Sequence, residues 1–484
     1  MRLSKSAIIV LGLVVATALP PQIIAAQELV AQSSPAPDWR ETYAYNVGMQ
    51  AFIYGYPSLK LASMRQAWID GPKTDLSLEG GNVYNHYRKL SDHTYRYGNS
   101  MNRDTLYSVS FSDVSKEPLI YTLPANPDGR YMSIEFTDWY TDAFAYISPR
   151  DHAQNKPVSY MIYYGEWNRS VPTGVDKVIK SPTPWIIGLG RTYTTNTNAD
   201  LRIAHAVQDG MTIFQLSEWG KDNPQKTRPV RDFVRNTQTT DELSAMKSIS
   251  ALLIENPPPK RDEALMVQFG LVGIGPKAIL SIAQMDAATK RGLVRAQADA
   301  MKLLEAVAED MGSVTNQRKK VNGWVYNPQN WGRMAENGDF LGRAATQSLA
   351  GGMENWVEEA VKLRSFHDNG GAKLNGANTY MLKFSQDQIP KVKSFWSITL
   401  YDNEFNLVDP GTGKYAVRSI DPDLVFGPDG SLTILLSPQK QKVKGLNWLP
   451  TPQNADFNLF FRAYLPAQDL INQSYVPPPI TRVP

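Results

Sequence analysis

The spacing of hydrophobic and polar positions divides the chain into stretches of different period. Apolar residues fill Ala7 to Leu19 behind the charged start Met1-Arg2-Leu3-Ser4-Lys5, and Pro20-Pro21 breaks the run. A charged segment, a short apolar core and small residues at Ala25-Ala26 predict a secretory signal over 1–26. Cleavage is expected after Ala26, with Ala18 and Ala31 as the alternative ends. A span needs roughly 20 apolar residues, so the shorter run favours cleavage over a retained anchor. Ser33, Ser34, Pro35 and Pro37 make 27–38 a polar leader. Beyond it, Tyr45, Val47 and Ala51-Phe52 recur at helical spacing and predict a short helix over Glu41 to Phe52, stopped by Tyr54-Gly55-Tyr56-Pro57.

From Thr105 the period becomes that of strands. Leu106 to Phe111, Leu119 to Leu123, Tyr131 to Phe136 and Tyr160 to Tyr164 are short runs rich in β-branched and aromatic residues, and Asp128-Gly129 signals a hairpin between two of them. The middle of the chain is helical. Leu293, Ala296, Ala300, Leu303, Val307 and Met311 mark one helix face, and Thr239 with Glu242 forms a capping box for a helix that ends before Pro257. A further helix is expected from Gly338 to Leu363. Gly270, Gly273 and Gly275 lack the order of a dinucleotide loop, and with Pro276 behind them they read as a tight helix entry. Strands return at Thr379 to Phe384, Phe395 to Tyr401, Leu432 to Leu436 and Phe457 to Tyr464, with turns at Asn375-Gly376 and Asp429-Gly430.

This pattern predicts an N-terminal β-rich domain over 39–198, a helical segment over 199–366 and a C-terminal β-sandwich domain over 367–484. The fold class is α+β, multi-domain, with two β-sandwich-like (jelly-roll-like) units joined by helices.

Composition narrows the chemistry. The chain has no cysteine, which removes disulfides, thiolate zinc sites and cysteine nucleophiles. Its 50 Lys+Arg nearly balance 47 Asp+Glu without a basic run, so nucleic acid is not an expected partner. No second apolar stretch reaches spanning length, and a soluble periplasmic or secreted protein is expected. The five histidines show no metal-ligand spacing, and no metal or cofactor is expected. Gly-x-Ser-x-Gly is missing too.

Particular residues carry a family likeness. Tyr54-Gly55-Tyr56-Pro57, the run Asn102-Arg103-Asp104-Thr105-Leu106-Tyr107-Ser108, Arg130-Tyr131 and Arg191-Thr192 resemble the domain-of-unknown-function family 1254. Leu374 to Tyr380, Phe395 to Asp402, Asp429-Gly430-Ser431-Leu432, Asn447-Trp448-Leu449-Pro450 and Phe461-Arg462-Ala463-Tyr464 resemble its usual partner, family 1214. The resemblance implies sandwich units with a helical segment in an exported bacterial protein, and it brings no activity with it.

Candidate chemistry therefore rests on side chains. Asn102, Asp104 and Tyr107 place an amide, a carboxylate and a phenol at the entrance to a strand, where binding groups tend to sit; capping of a turn is the plainer reading. Glu135, Asp138 and Asp142 beside aromatics have the residue types of a glycosidase acid/base pair, though spacing in sequence does not set their separation. The chain holds 23 Tyr, 11 Trp and 16 Phe, enough both to fill two cores and to line a pocket. Phe395 and Phe461 are expected in the core, and Trp448 on a more exposed loop. Alternation in Phe457–Tyr464 puts Phe460, Arg462 and Tyr464 on one face. It predicts Phe461 in the core and Arg462 in a cleft, stacked on aromatics and paired with a carboxylate.

The candidate ligand-binding set is thus Asn102, Asp104, Tyr107, Arg130, Trp448 and Arg462, with no catalytic residue named. Two functions follow. One is a metal-free protein that binds, and as an enzyme would turn over, a polar or ring-bearing small molecule or glycan. The other is a non-enzymatic binding or structural envelope protein, with homo-oligomers open to either.

Overall fold

The alternating runs form strands and the 3.6-residue runs form helices in a computed structural model, which describes residues 38–95, 100–151, 155–235, 241–309, 318–349, 353–409, 411–440 and 445–483. The expected signal over 1–26 lies outside the described residues, as do Thr239 and Met311.

The N-terminal unit stacks two sheets. Its inner sheet is antiparallel, in the order Asn85–His86, Thr105–Asp113, Trp185–Tyr193, Met132–Asp138, Ala143–Ile147. Its outer sheet runs Lys177–Lys180, Val158–Tyr163, Leu119–Leu123, Thr212–Gln215. Met132, Ile134 and Phe136 leave one face of the inner sheet and meet Leu119, Tyr121 and Tyr160 from the outer one. Strand alternation then turns Ser133 and Glu135 to the opposite face, away from that core. Asp128-Gly129 does not close a hairpin. Leu119–Leu123 pairs within the outer sheet and Met132–Asp138 within the inner, so the chain crosses between layers here, with Gly129 at φ +73°.

The C-terminal unit repeats the two-layer plan. Its inner sheet runs Lys320–Val321, Trp324–Tyr326, Ala360–Ser365, Asn458–Tyr464, Trp396–Tyr401, Ala416–Arg418, and its outer sheet runs Asn447–Pro450, Leu432–Ser437, Thr379–Phe384, Ile480–Val483. Leu363, Trp396, Ile398 and Phe461 pack against Tyr380, Leu382, Ile434 and Leu436 between the layers. Phe461 is therefore in the core, as alternation requires. The helix expected to reach Leu363 is instead confined to Phe340–Leu349, and Ala360–Ser365 is a strand. Val361 and Leu363 fill the core while Lys362 and Arg364 take the other face, a period of 2 that only a strand satisfies. Three strands from the stretch read as helical thus belong to this sheet. The Asn375-Gly376 turn forms, closed by Asn378 N donating to Asn375 O at 3.0 Å. Gly430, at φ +74°, turns the chain into Leu432–Ser437, but Leu424 to Phe426 forms no strand.

Helices Trp39–Asp70, Ser244–Glu255, Glu263–Gly270, Ala287–Glu309 and Phe340–Leu349 form the third body. The first does not stop at Pro57 but carries it inside. A proline removes one helical hydrogen bond; burial of Phe52, Tyr54, Leu61 and Ala62 on either side of it outweighs that loss. Gly55 shows how close the packing is, since a Cβ there would fall 2.3 Å from the side chain of Ile249. Leu293, Ala296, Ala300, Leu304 and Val307 supply the buried face of Ala287–Glu309. The glycines of 270–275 mark a helix exit rather than an entry: Glu263–Gly270 ends there, Gly273 and Gly275 turn at φ +83° and +82°, and no helix begins at Pro276.

Candidate functional site

The two inner sheets turn their non-core faces towards each other. Across the N-terminal sheet, Tyr107 pairs in register with Arg191 and Arg191 with Ser133. Across the C-terminal sheet, Lys362 pairs with Arg462 and Arg462 with Ser397. These rows face one another around a cavity of about 730 Å³. Its wall includes Asn102, Tyr107, Arg191, Lys362, Arg462 and Tyr464, and Met64 and Trp68 from the end of the first long helix.

Asn102 caps the strand entrance. Its Oδ1 accepts from Asp104 N at 2.8 Å and Thr105 N at 2.9 Å, and its amide donates to the Tyr107 hydroxyl. The capping reading therefore holds for Asn102, which still lies on the cavity wall.

Asp104 is fully buried and joins the two units from behind the wall. Its Oδ2 accepts from the Ser397 hydroxyl at 2.7 Å and from Tyr464 OH at 3.2 Å, while Oδ1 has no partner among the described residues. Burial pushes its pKa up, against Arg462, Arg418 and the two hydroxyls, which hold it down. Glu359 makes the reciprocal link: this C-terminal carboxylate accepts from Tyr131 OH at 2.6 Å and Ser148 Oγ at 2.8 Å. Burial raises its pKa too. Each unit thus lends one carboxylate to hydroxyls of the other.

Arg462 is 2% exposed and lies over Phe460 and Tyr401, 5.1 and 5.4 Å from their ring centroids. The second ring is Tyr401, on the neighbouring strand, rather than Tyr464. The cleft position and the stacking on Phe460 are as alternation predicts. The carboxylate partner is not: among the described residues its Nη2 donates to the Ser100 carbonyl at 2.8 Å, and Nη1 has no partner. Asp104, the acid of the same neighbourhood, is held by hydroxyls instead. Burial works against the Arg462 charge, but Tyr401, Tyr464 and Asp104 outweigh it and raise its pKa.

Two other cations on the wall, one from each inner sheet, are paired. Arg191 donates to Glu135 at 2.6 Å, and Lys362 to Glu354, which also accepts from Trp331 Nε1 at 2.9 Å. Lys362 is pushed down to about 8, chiefly by burial and further by Arg462 and Arg364, although Glu354 resists. Burial alone would raise Glu354; Lys362 and its other partners hold it below its ordinary value. Both members of this pair shift downward, Lys362 chiefly through burial and Glu354 chiefly through Lys362 itself.

The remaining candidates lie elsewhere. Arg130 is a clamp, donating to Asp128 Oδ1 at 2.9 Å, Asp200 at 2.7 Å and the Tyr193 carbonyl at 3.1 Å, off the cavity wall. Trp448 is on a strand rather than a loop, half-buried, with its indole N–H bonded to the Ser437 carbonyl at 3.0 Å. Glu135 and Asp142 are closed in ion pairs with Arg191 and Arg343, and Asp138 caps Tyr140 N and Asp142 N. These three do not form a free acid/base pair. His86, on the wall, is pushed down to about 4 by burial and Arg88, and its Nδ1 sits 2.8 Å from Ser108 Oγ. Lys362, Glu354 and Trp68 went unrecognised; the alternation Val361-Lys362-Leu363-Arg364 was the available signal for the first.

Residues 81–215 match the family described as Protein of unknown function (DUF1254), and residues 359–468 that described as Protein of unknown function (DUF1214). The chain is similar to the crystal structure of the VPA0106 protein from Vibrio parahaemolyticus, at 21% identity and a TM-score of 0.67, over 91% of this chain and 100% of that one. A second similar structure, an uncharacterised protein from Burkholderia cenocepacia, has 12% identity and a TM-score of 0.45, over 96% of this chain and 98% of that one. No curated protein matches.

Proposed function

This chain belongs to the proteins that join a DUF1254 region to a DUF1214 region, and we propose that it is an exported protein, periplasmic or secreted, that binds a polar, ring-bearing small molecule between the two. One observation carries this reading. The cavity wall takes Tyr107 and Arg191 from the first region and Lys362, Arg462 and Tyr464 from the second. A volume of about 730 Å³ lies within the roughly 300 to 1,000 Å³ of small-molecule sites. Trp68, Tyr87, Val109 and Leu189 supply aromatic and aliphatic wall against which a ring can pack.

The test is native mass spectrometry of the purified chain after incubation with a complex metabolite extract. A small-molecule adduct is expected on the wild type and not on Val109→Phe, whose larger ring fills part of the cavity. No adduct, or the same adducts on both proteins, would sink the proposal.

A further inference from the structure

The cavity carries an imbalance of charge that points to the kind of ligand. Arg191 and Lys362 each have a carboxylate, Glu135 and Glu354. Arg462 has none among the described residues, and of its donors Nη1 is without a partner. A buried guanidinium with an unmet donor is costly to keep, because the donor has lost its water and gained no partner in return. Its neighbour across the strands, Lys362, is already held by Glu354, so it brings Arg462 no counter-charge.

Resting on the small-molecule reading above, we infer that the ligand is an oxyanion on an apolar ring body, a carboxylate or a phosphate, whose charged group is received by Arg462. The two parts of the wall match the two parts of such a molecule. Arg462, with Lys362 beside it, forms the cationic end. Trp68, Met64, Val109, Leu189 and Met353 provide the apolar remainder. A planar, permanently charged fork suits either oxyanion, because both accept two parallel N–H bonds. Stacking on Phe460 and Tyr401 fixes the plane of the guanidinium before any ligand arrives, which lowers the ordering cost of binding.

Isothermal titration of the full chain with 2-naphthoate, 1-naphthyl phosphate and the neutral 2-naphthamide tests this. At least one anion should bind tenfold or more tighter than the amide, with affinity falling as salt rises, and the preferred anion tells carboxylate from phosphate. Arg462→Met should lose at least tenfold for that anion while changing 2-naphthamide less than twofold, a result that also shows the variant is folded. The comparison on the wild type needs no variant. Equal binding of amide and anions, or an Arg462→Met protein with unchanged anion affinity, overturns the oxyanion assignment and leaves the small-molecule reading standing. Binding of none of the three overturns it as well, and the Val109→Phe adduct comparison then decides separately whether the cavity reading survives.

Discussion

Ser397→Ala removes one atom from the contact that ties the two units together. The Ser397 hydroxyl donates to Asp104 Oδ2 at 2.7 Å, both residues are fully buried, and water has no access to replace the bond. A hydrogen bond to a charged group contributes about 1.5–3 kcal/mol, so a loss near 2 kcal/mol is expected. Tyr464 OH, at 3.2 Å, remains as the second donor and keeps the loss from growing. Asp104→Asn should behave differently. It keeps the shape while removing a buried charge whose pKa is raised, so stability at pH 7 should change by less than about 1 kcal/mol. The sign follows from linkage: with the folded pKa above the unfolded one, the Asp104 contribution is most favourable in acid and is lost as pH rises through the folded value. In the Asp104→Asn background the serine bond is neutral, and Ser397→Ala should cost only about 1 kcal/mol, leaving a coupling near 1 kcal/mol. Urea unfolding of the four proteins, followed by tryptophan fluorescence, measures the cycle. A Ser397→Ala cost below about 0.5 kcal/mol, or the same cost in both backgrounds, would refute a charge-assisted bond between the units.

Further outcomes follow from the same structure. N-terminal sequencing of protein recovered outside the cytoplasm should begin at Gln27; a start at Leu19 or Gln32 moves only the cleavage point, and a start at Met1 contradicts export by a cleaved signal. Lys362 releases its proton near pH 8 when folded and near 10.5 when unfolded, so the unfolded chain binds more protons between these values and the Lys362 contribution to stability rises with pH there. Against a Lys362→Met, Glu354→Gln double variant, the wild type should gain on the order of 3 kcal/mol at most from pH 8 to 10.5, and a flat difference contradicts the shift. Gly55→Ala should lower stability by about 1–3 kcal/mol despite the better helix former, because its Cβ meets Ile249; in an Ile249→Ala background the same change should cost less, and a stabilised Gly55→Ala would contradict the close packing.

How much of this was legible along the chain depends on the range of the interaction. Leu119–Leu123 and Thr379–Phe384 begin and end where their runs of β-branched and aromatic residues predict, because the residues that favour a strand are adjacent in the chain. Alternation, equally local, put Phe461 in the core and Arg462 in the cleft. Pro57 stays inside its helix because burial of Phe52 and Tyr54 outweighs the lost bond, and residues of the core they join, Ile249 and Phe269 among them, lie far away in sequence. Lys362 and Arg462 are likewise neighbours only through strand pairing. Asp128-Gly129 has the residues of a hairpin turn, but the partner strand on each side of it was chosen by layer packing, not by the turn. Of the six candidate residues, Asn102, Tyr107 and Arg462 meet at the cavity with Asp104 behind them. Arg130 and Trp448 carry the same chemistry to structural posts, a distinction that residue type does not make.

A crystal structure with 6-bromo-2-naphthoate bound tests the central claim most directly, because anomalous scattering from bromine locates the ring without interpretation of weak density. The account predicts the bromine inside the cavity between the two inner sheets and the carboxylate within about 3.2 Å of the Arg462 guanidinium. Bromine located only outside that cavity, at full soaking concentration, would contradict it.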